Sequence, residues 1–302
     1  MSRALTNRIA AELQRPVDPA VCAFARQLAA SSGAVAALFY GSNLRTGERE
    51  GVLDYYLLLP GEAERGIWPR VSYHEASHEG VTLRAKAASM SLRKFEQAVS
   101  GALMDTTVWA RFVQPSALIW CASDEVATRV SGAVSSATLT ATRLAAVLGP
   151  ESGPEEAYWT ALFKATYKAE FRIESQGRAK SILDLNRKHF DGLLPLALEA
   201  ADIEFEGSAG ALTLRVDKAS QRKVKRWWRW RRRAGKPLNV LRLLRAAGTF
   251  EGAARYAAWK IERHTGIPVE VTPWREKHPV LCAPGVLISI WKDRRKARKA
   301  DA

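Results

Sequence analysis

The sequence predicts an α+β fold: a mixed sheet flanked by helices, then a small helical region and a basic amphipathic carboxyl-terminal region. Three observations carry this expectation. The apolar runs Ala34 to Tyr40 and Leu53 to Leu59 are bounded by glycine and polar loops, and they have the length of buried strands. Apolar residues at helical spacing precede and follow them. The net charge of +15 is unevenly spread, since residues 218–302 hold 23 Lys and Arg against 6 Asp and Glu, whereas the rest of the chain holds 23 against 25.

Residues 4 to 31 place Ile9, Leu13, Val21, Phe24 and Leu28 on helical faces, and Pro16-Val17-Asp18-Pro19 divides them into two helices. The first strand ends in Tyr40-Gly41-Ser42. Gly41 can take backbone conformations that let amides approach an anion closely, and Ser42 adds a hydroxyl there. Asp54 then enters a strand otherwise built of Leu and Tyr. A buried carboxylate is costly unless it is paired or holds a cation, and a metal is the economical expectation.

Pro60-Gly61 turns the chain, Gly66 to Arg70 reads as loop, Val81 to Lys86 as strand, and Leu92 opens a helix carrying Phe95, Val99 and Leu103. His74 and His78, near Glu75 and Glu79, read as solvated loop residues, because no further ligand pattern accompanies them. Ser123 to Val147 reads as a helix, Gly149 to Pro154 as a linker, and 182–200 as one amphipathic helix. Ile203 to Phe205 and Leu212 to Val216 flank a Gly-Ser-Ala-Gly turn and read as a hairpin. The expected domains are 1–120, 121–217 and 218–302.

At 47% hydrophobic over 302 residues the chain can bury a sizeable core, which excludes a disordered class. It has no run of the ~18 apolar residues that a membrane span requires. Its start lacks the apolar segment of a secretory signal, so a cytoplasmic location is expected. Cys22, Cys121 and Cys282 form no CxxC, and they read as small buried apolar residues rather than a disulfide framework or zinc ribbon.

The Gly41-Ser42 turn, with Asp54 following on an apolar strand, resembles the polymerase-beta-like nucleotidyltransferases. The resemblance implies a nucleotide triphosphate on the turn and Mg²⁺ on strand carboxylates. That superfamily's second acid, two residues after the first, is Tyr56 here. A closer resemblance is to the mitochondrial translocator-assembly-and-maintenance family of phosphatidate cytidylyltransferases. It rests on Tyr40-Gly41-Ser42, Asp54, Lys86 on a following strand, and Arg111 with Pro115. It continues in Ala161 to Ile173, where Glu170 stands for the family's Asp and Ala169 for its Gly, and in Arg178-Ala179-Lys180-Ser181-Ile182-Leu183.

The matched pieces span residues 36–185. They imply a nucleotidyltransferase-type sheet followed by a winged-helix-like domain, and transfer of CMP from CTP to phosphatidate with release of pyrophosphate. Asp54 would hold the metal, Asp54 and Lys86 would be catalytic, and Tyr40, Gly41, Ser42, Lys86, Arg111 and Arg172 would bind the nucleotide. From the residues themselves, Lys86 is suited to a triphosphate or to a solvated surface. Glu170 and Arg172 are suited to an ion pair, or respectively to the carboxylate missing at Tyr56 and to phosphate binding.

Arg222 to Arg233 interleaves cations with Trp227, Trp228 and Trp230. Three readings fit: an anionic membrane surface, where each cation contributes about 1 kcal/mol; single-stranded nucleic acid stacked on the indoles; or a packed helix with a solvated basic face. The expectation adopted is peripheral membrane contact on the inner face through Trp227, Trp228, Trp230, Arg231, Arg232 and Arg233, with nucleic acid second. Leu238, Leu241, Leu244, Phe250, Tyr256 and Ile261, with Arg242, Arg245, Arg255, Lys260 and Arg263, read as a helix lying in an interface. The alternatives to a lipid enzyme are an RNA-modifying nucleotidyltransferase and an inactive membrane-binding member of the fold.

Overall fold

A computed structural model describes residues 2–66, 69–170, 178–208, 210–266, 268–277 and 282. The two amino-terminal helices are α1 (Arg3–Leu13) and α2 (Pro19–Ser32). Asp18 caps α2 by accepting from the Ala20 amide, Pro19 pre-sets its first turn, and Gly33 ends it in the left-handed conformation. Next come β1 (Ala36–Tyr40), the short α3 (Ser42–Thr46), β2 (Leu53–Leu59), β3 (Arg70–His78) and β4 (Val81–Ser91). They are followed by α4 (Leu92–Val99), α5 (Thr107–Phe112) and β5 (Ser116–Cys121).

These strands form one sheet in the order β3-β4-β2-β1-β5. Only β2 and β4 pair in parallel, so the sheet is mixed, in keeping with the expected α+β class. Side chains alternate between its faces. One face sends Phe39, Tyr55, Leu57 and Ala87 against Val21, Phe24 and Leu28 of α2. The other sends Leu38, Tyr40, Tyr56, Leu58 and Met90 against α1, α4 and α5.

The helical region comprises α6 (Asp124–Leu148), β6 (Ser152–Gly153), α7 (Glu155–Ala169), α8 (Arg178–Leu185), α9 (Arg187–Phe190) and α10 (Leu193–Ala200), then β7 (Glu204–Ser208) and β8 (Ala211–Arg215). The three short strands form a second, antiparallel sheet in the order β6-β8-β7. The single helix expected over 182–200 is broken. The Asn186 side chain turns back onto the Ile182 carbonyl at 2.7 Å, and Gly192 adopts φ +67°. His74 and His78 lie on β3, not in a loop, and the three cysteines are half-buried rather than buried.

Three helices complete the described chain: α11 (Lys218–Thr249), α12 (Ala253–Thr265) and α13 (Pro273–Lys277). α11 runs unbroken through Pro237, although that residue has no N–H to donate to the preceding turn. The buried cluster on the α1 side continues from Leu5 in α1 to Trp228 in α11 and crosses both expected domain boundaries.

Candidate active site

Strand register assembles the site's central row. Tyr40 on β1 faces Asp54 on β2, Asp54 faces Lys86 on β4, and Lys86 faces Tyr73 on β3. Directly opposed residues share a sheet face, so these four side chains form a line across it. Gly41 has φ +96°, and a Cβ there would stand 3.0 Å from Asp54 Oδ2. Both the backbone angle and the nearness of the carboxylate exclude a larger residue. Beyond the turn, the Asn43 amide donates to the Glu48 and Glu50 carbonyls at 3.0 and 2.7 Å, which folds the connecting loop back toward Asp54.

A polar cavity of about 200 Å³ opens on this turn, lined among others by Gly41, Ser42, Arg45, Asp54, Arg111 and Glu170. Five of these come from the sheet and its neighbouring helices. Glu170 arrives from the end of α7, where the backbone turns extended, and is 7% exposed. Tyr40, Gly41, Ser42, Asp54 and Arg111 of the expected site are thus brought together. Lys86 stands beside Asp54 in the row without lining the cavity. Arg172 lies outside the described residues.

The charges balance unevenly. Burial raises the Asp54 carboxyl above the ordinary carboxylate range, and the nearby Lys86 and Arg111 charges offset this only in part. For Arg111, burial works against the charge, but Tyr40, Tyr56, Asp54 and Glu170 outweigh it, and its proton is held more firmly than usual. Arg111 Nη1 donates to the Tyr40 hydroxyl at 2.7 Å, and its guanidinium lies 4.8 Å from the Tyr40 ring centre.

Tyr56, at the position of the missing second acid, is a core aromatic. Its ring packs 5.1 Å from Phe112, 5.9 Å from Tyr40 and 6.1 Å from Phe95, and burial pushes its phenol up. The Arg111 and Arg242 charges reach this position but only partly offset the burial, so the cost of a charged group there stays high. Glu170 is instead the second carboxylate of the cavity. Arg45, which sequence reasoning passed over, follows Ser42 by three residues, and that spacing puts both on one side of a helical turn.

The basic helix departs from the expected membrane face. Trp227 donates its indole N–H to the Gly101 carbonyl at 3.1 Å and packs on Trp109, and Trp228 is 5% exposed. Arg231 is 7% exposed and donates to the carbonyls of Gly101 at 2.6 Å and Leu103 at 3.1 Å, with its guanidinium 4.0 Å from the Trp227 ring centre. Burial lowers its pKa to about 10. The assignment of Trp227, Trp228 and Arg231 to a membrane face is therefore corrected: they hold α11 to the protein. Trp230, Arg232 and Arg233 remain on the outside. Near-consecutive residues on a helix of 3.6 residues per turn cannot all share one face.

No protein-family model matches the chain, and no curated protein matches it. Among the described residues, no helix is long and apolar enough to cross a membrane.

Proposed function

We propose that the chain is a Mg²⁺-dependent nucleotidyltransferase that moves CMP from CTP to phosphatidate at a membrane surface, leaving CDP-diacylglycerol and pyrophosphate. On this reading the large sheet is of the nucleotidyltransferase type and the region from α6 to β8 is its winged-helix-like companion. The observation that carries the reading is the placement of Asp54 against Gly41, with Ser42, Arg111 and Glu170 around one polar cavity. The ordered resemblance from Tyr40 to Leu183 supports the choice of CTP and phosphatidate.

The donor set fits Mg²⁺. Among the described residues no group of three or more His, Cys, Asp or Glu is placed to hold a metal, but Asp54 and Glu170 line the same cavity. Mg²⁺ is commonly held by one or two carboxylates, with water and substrate phosphates completing its shell. When bound it would neutralise charge on the nucleotide phosphates.

The protein's own groups account for the remainder. An ionised phosphate oxygen of the lipid attacks the α-phosphorus of CTP. The new O–P bond forms as the bond to the bridging oxygen breaks, and pyrophosphate leaves with the electron pair. A phosphate monoester has its second pKa near 6, so no protein base is required. Arg111, fixed by Tyr40, and the Gly41-Ser42 turn stabilise the charge that collects on the leaving phosphates. The exposed cations Arg222, Lys225, Arg226, Arg229, Arg232 and Arg233, with Trp230, favour an anionic bilayer as the source of acceptor.

The test is pyrophosphate release from CTP with phosphatidate vesicles and Mg²⁺, comparing the parent with Asp54→Asn. Release is expected from the parent alone, and equal release from both would remove Asp54 from the reaction. The same cationic face suits an RNA backbone. Turnover with RNA but not with vesicles would favour that second reading, and vesicle binding without turnover would favour an inactive member.

A further inference from the structure

The long connection after the helical region brings a second group of cations to the Asp54 row. At the end of α11 the chain returns to the sheet edge, where the Tyr73 amide donates to the Glu251 carbonyl at 2.8 Å. Gly252, at φ +76°, lies so close that a Cβ would meet the Tyr73 carbonyl at 2.8 Å. α12 therefore starts tight against β3, and its Tyr256 and Trp259 fall on the face that bears Lys86 and Asp54, against Tyr73 and Arg84.

Tyr256 packs 5.5 Å from the ring of Tyr73, the register partner of Lys86, which is itself the partner of Asp54. Strands lie about 4.8 Å apart, so Tyr73 stands roughly two spacings, about 10 Å, from Asp54. Burial and the Asp54 charge both raise the Tyr256 hydroxyl pKa, which accords with this nearness. One turn away, Trp259 carries Arg84 and Arg263 at 5.5 and 5.4 Å. Arg263 Nη1 also lies 3.3 Å from where a Gly51 Cβ would be, in the loop that joins Ser42 to Asp54. Lys260 sits 5.9 Å from the Tyr256 ring. Among the described residues neither Lys260 nor Arg263 has a carboxylate partner, whereas Arg255 on the same helix is paired with Glu276 at 2.8 Å.

We propose that Tyr256, Lys260 and Arg263 form a second phosphate-binding subsite, on the Lys86 side of Asp54, that takes the phosphate monoester of the acceptor. The proposal rests on the nucleotidyltransferase reading and adds to it a place for the second substrate. Arg111 and the Gly41-Ser42 turn flank Asp54 from β1 and α5, and α12 flanks it from β3. In-line displacement needs entering and leaving oxygens on opposite sides of the phosphorus, and two anion-binding groups on either side of one carboxylate meet that need.

The experiment compares the parent, the double variant Lys260→Ala/Arg263→Ala and the variant Arg263→Lys, using the soluble lipid dioctanoyl phosphatidate so that bilayer attraction does not enter. The double variant is expected to raise the KM for this lipid about tenfold or more, the size of one or two lost charge-assisted hydrogen bonds. The KM for CTP and the melting temperature should be unchanged, and Arg263→Lys should recover part of the loss. An equal rise in both KM values, or a rise confined to CTP, would overturn the subsite. If the parent does not turn CTP over, the nucleotidyltransferase reading fails separately. Calorimetric binding of dioctanoyl phosphatidate to parent and double variant then decides: weaker binding by the double variant supports the subsite and equal binding overturns it.

Discussion

Gly41 and Asp54 constrain each other at the centre of the site. Gly41→Ala would place a methyl group 3.0 Å from the carboxylate at φ +96°, so a loss of about 1–3 kcal/mol is expected in urea unfolding. Nucleotide turnover should fall with it, because the carboxylate must move. Asp54 also makes stability depend on pH. Its folded pKa is raised by burial, so its contribution is fully present below the unfolded value near 3.9 and is lost as pH rises through the folded value. Urea unfolding from pH 4 to pH 7 should show the parent losing stability relative to Asp54→Asn, and saturating Mg²⁺ should restore it in the parent alone.

The turn was legible in the sequence because a glycine, a hydroxyl and a lone acid on an apolar strand have few packing explanations. Glu170 was open in the sequence between an ion pair and the carboxylate missing at Tyr56, and Tyr256 carried no signal for the site at all. Their nearness to Asp54 arises from register and helix docking, which local sequence does not encode.

At the scale of elements, α11 is held to the protein at several points. A Cβ on Gly235 would stand 2.4 Å from the Ala169 carbonyl, so backbone meets backbone where α11 crosses α7. Gly235→Ala should cost about 1–3 kcal/mol through forced separation of the two helices, measured by chemical denaturation. Further along, Arg242 forms an ion pair with Asp105 and donates to Thr107 Oγ1 at 2.8 Å. Helices with regular apolar spacing were read from sequence, as with Ser123 to Val147, where Ser123 proves to be the cap of α6 and accepts from the Val126 amide. The inward face of α11 was not, because cations occupy both sides of it and mask the apolar stripe. Arg231 in particular looks like its solvated neighbours until its three carbonyl partners are seen.

For the molecule as a whole, 12 of the 23 Lys and Arg of residues 218–302 lie on α11, a helix whose inner side is already occupied. Only the outer side is available to a polyanion. Arg232→Glu/Arg233→Glu reverses two exposed charges, and at about 1 kcal/mol per cation near an anionic surface it should weaken sedimentation with anionic vesicles at least tenfold. The melting temperature should hold, since neither residue is buried. Arg231→Glu should behave oppositely, lowering the melting temperature because it places an acid among carbonyl oxygens.

The carboxylate that joins Asp54 in the cavity is delivered from the far end of α7, more than a hundred positions along the chain. Neither stretch by itself then owns a full set of oxygen donors. On the proposed reading, a nick in the linker after α6 should leave two inert fragments, and whatever activity returns on mixing should track their reassociation.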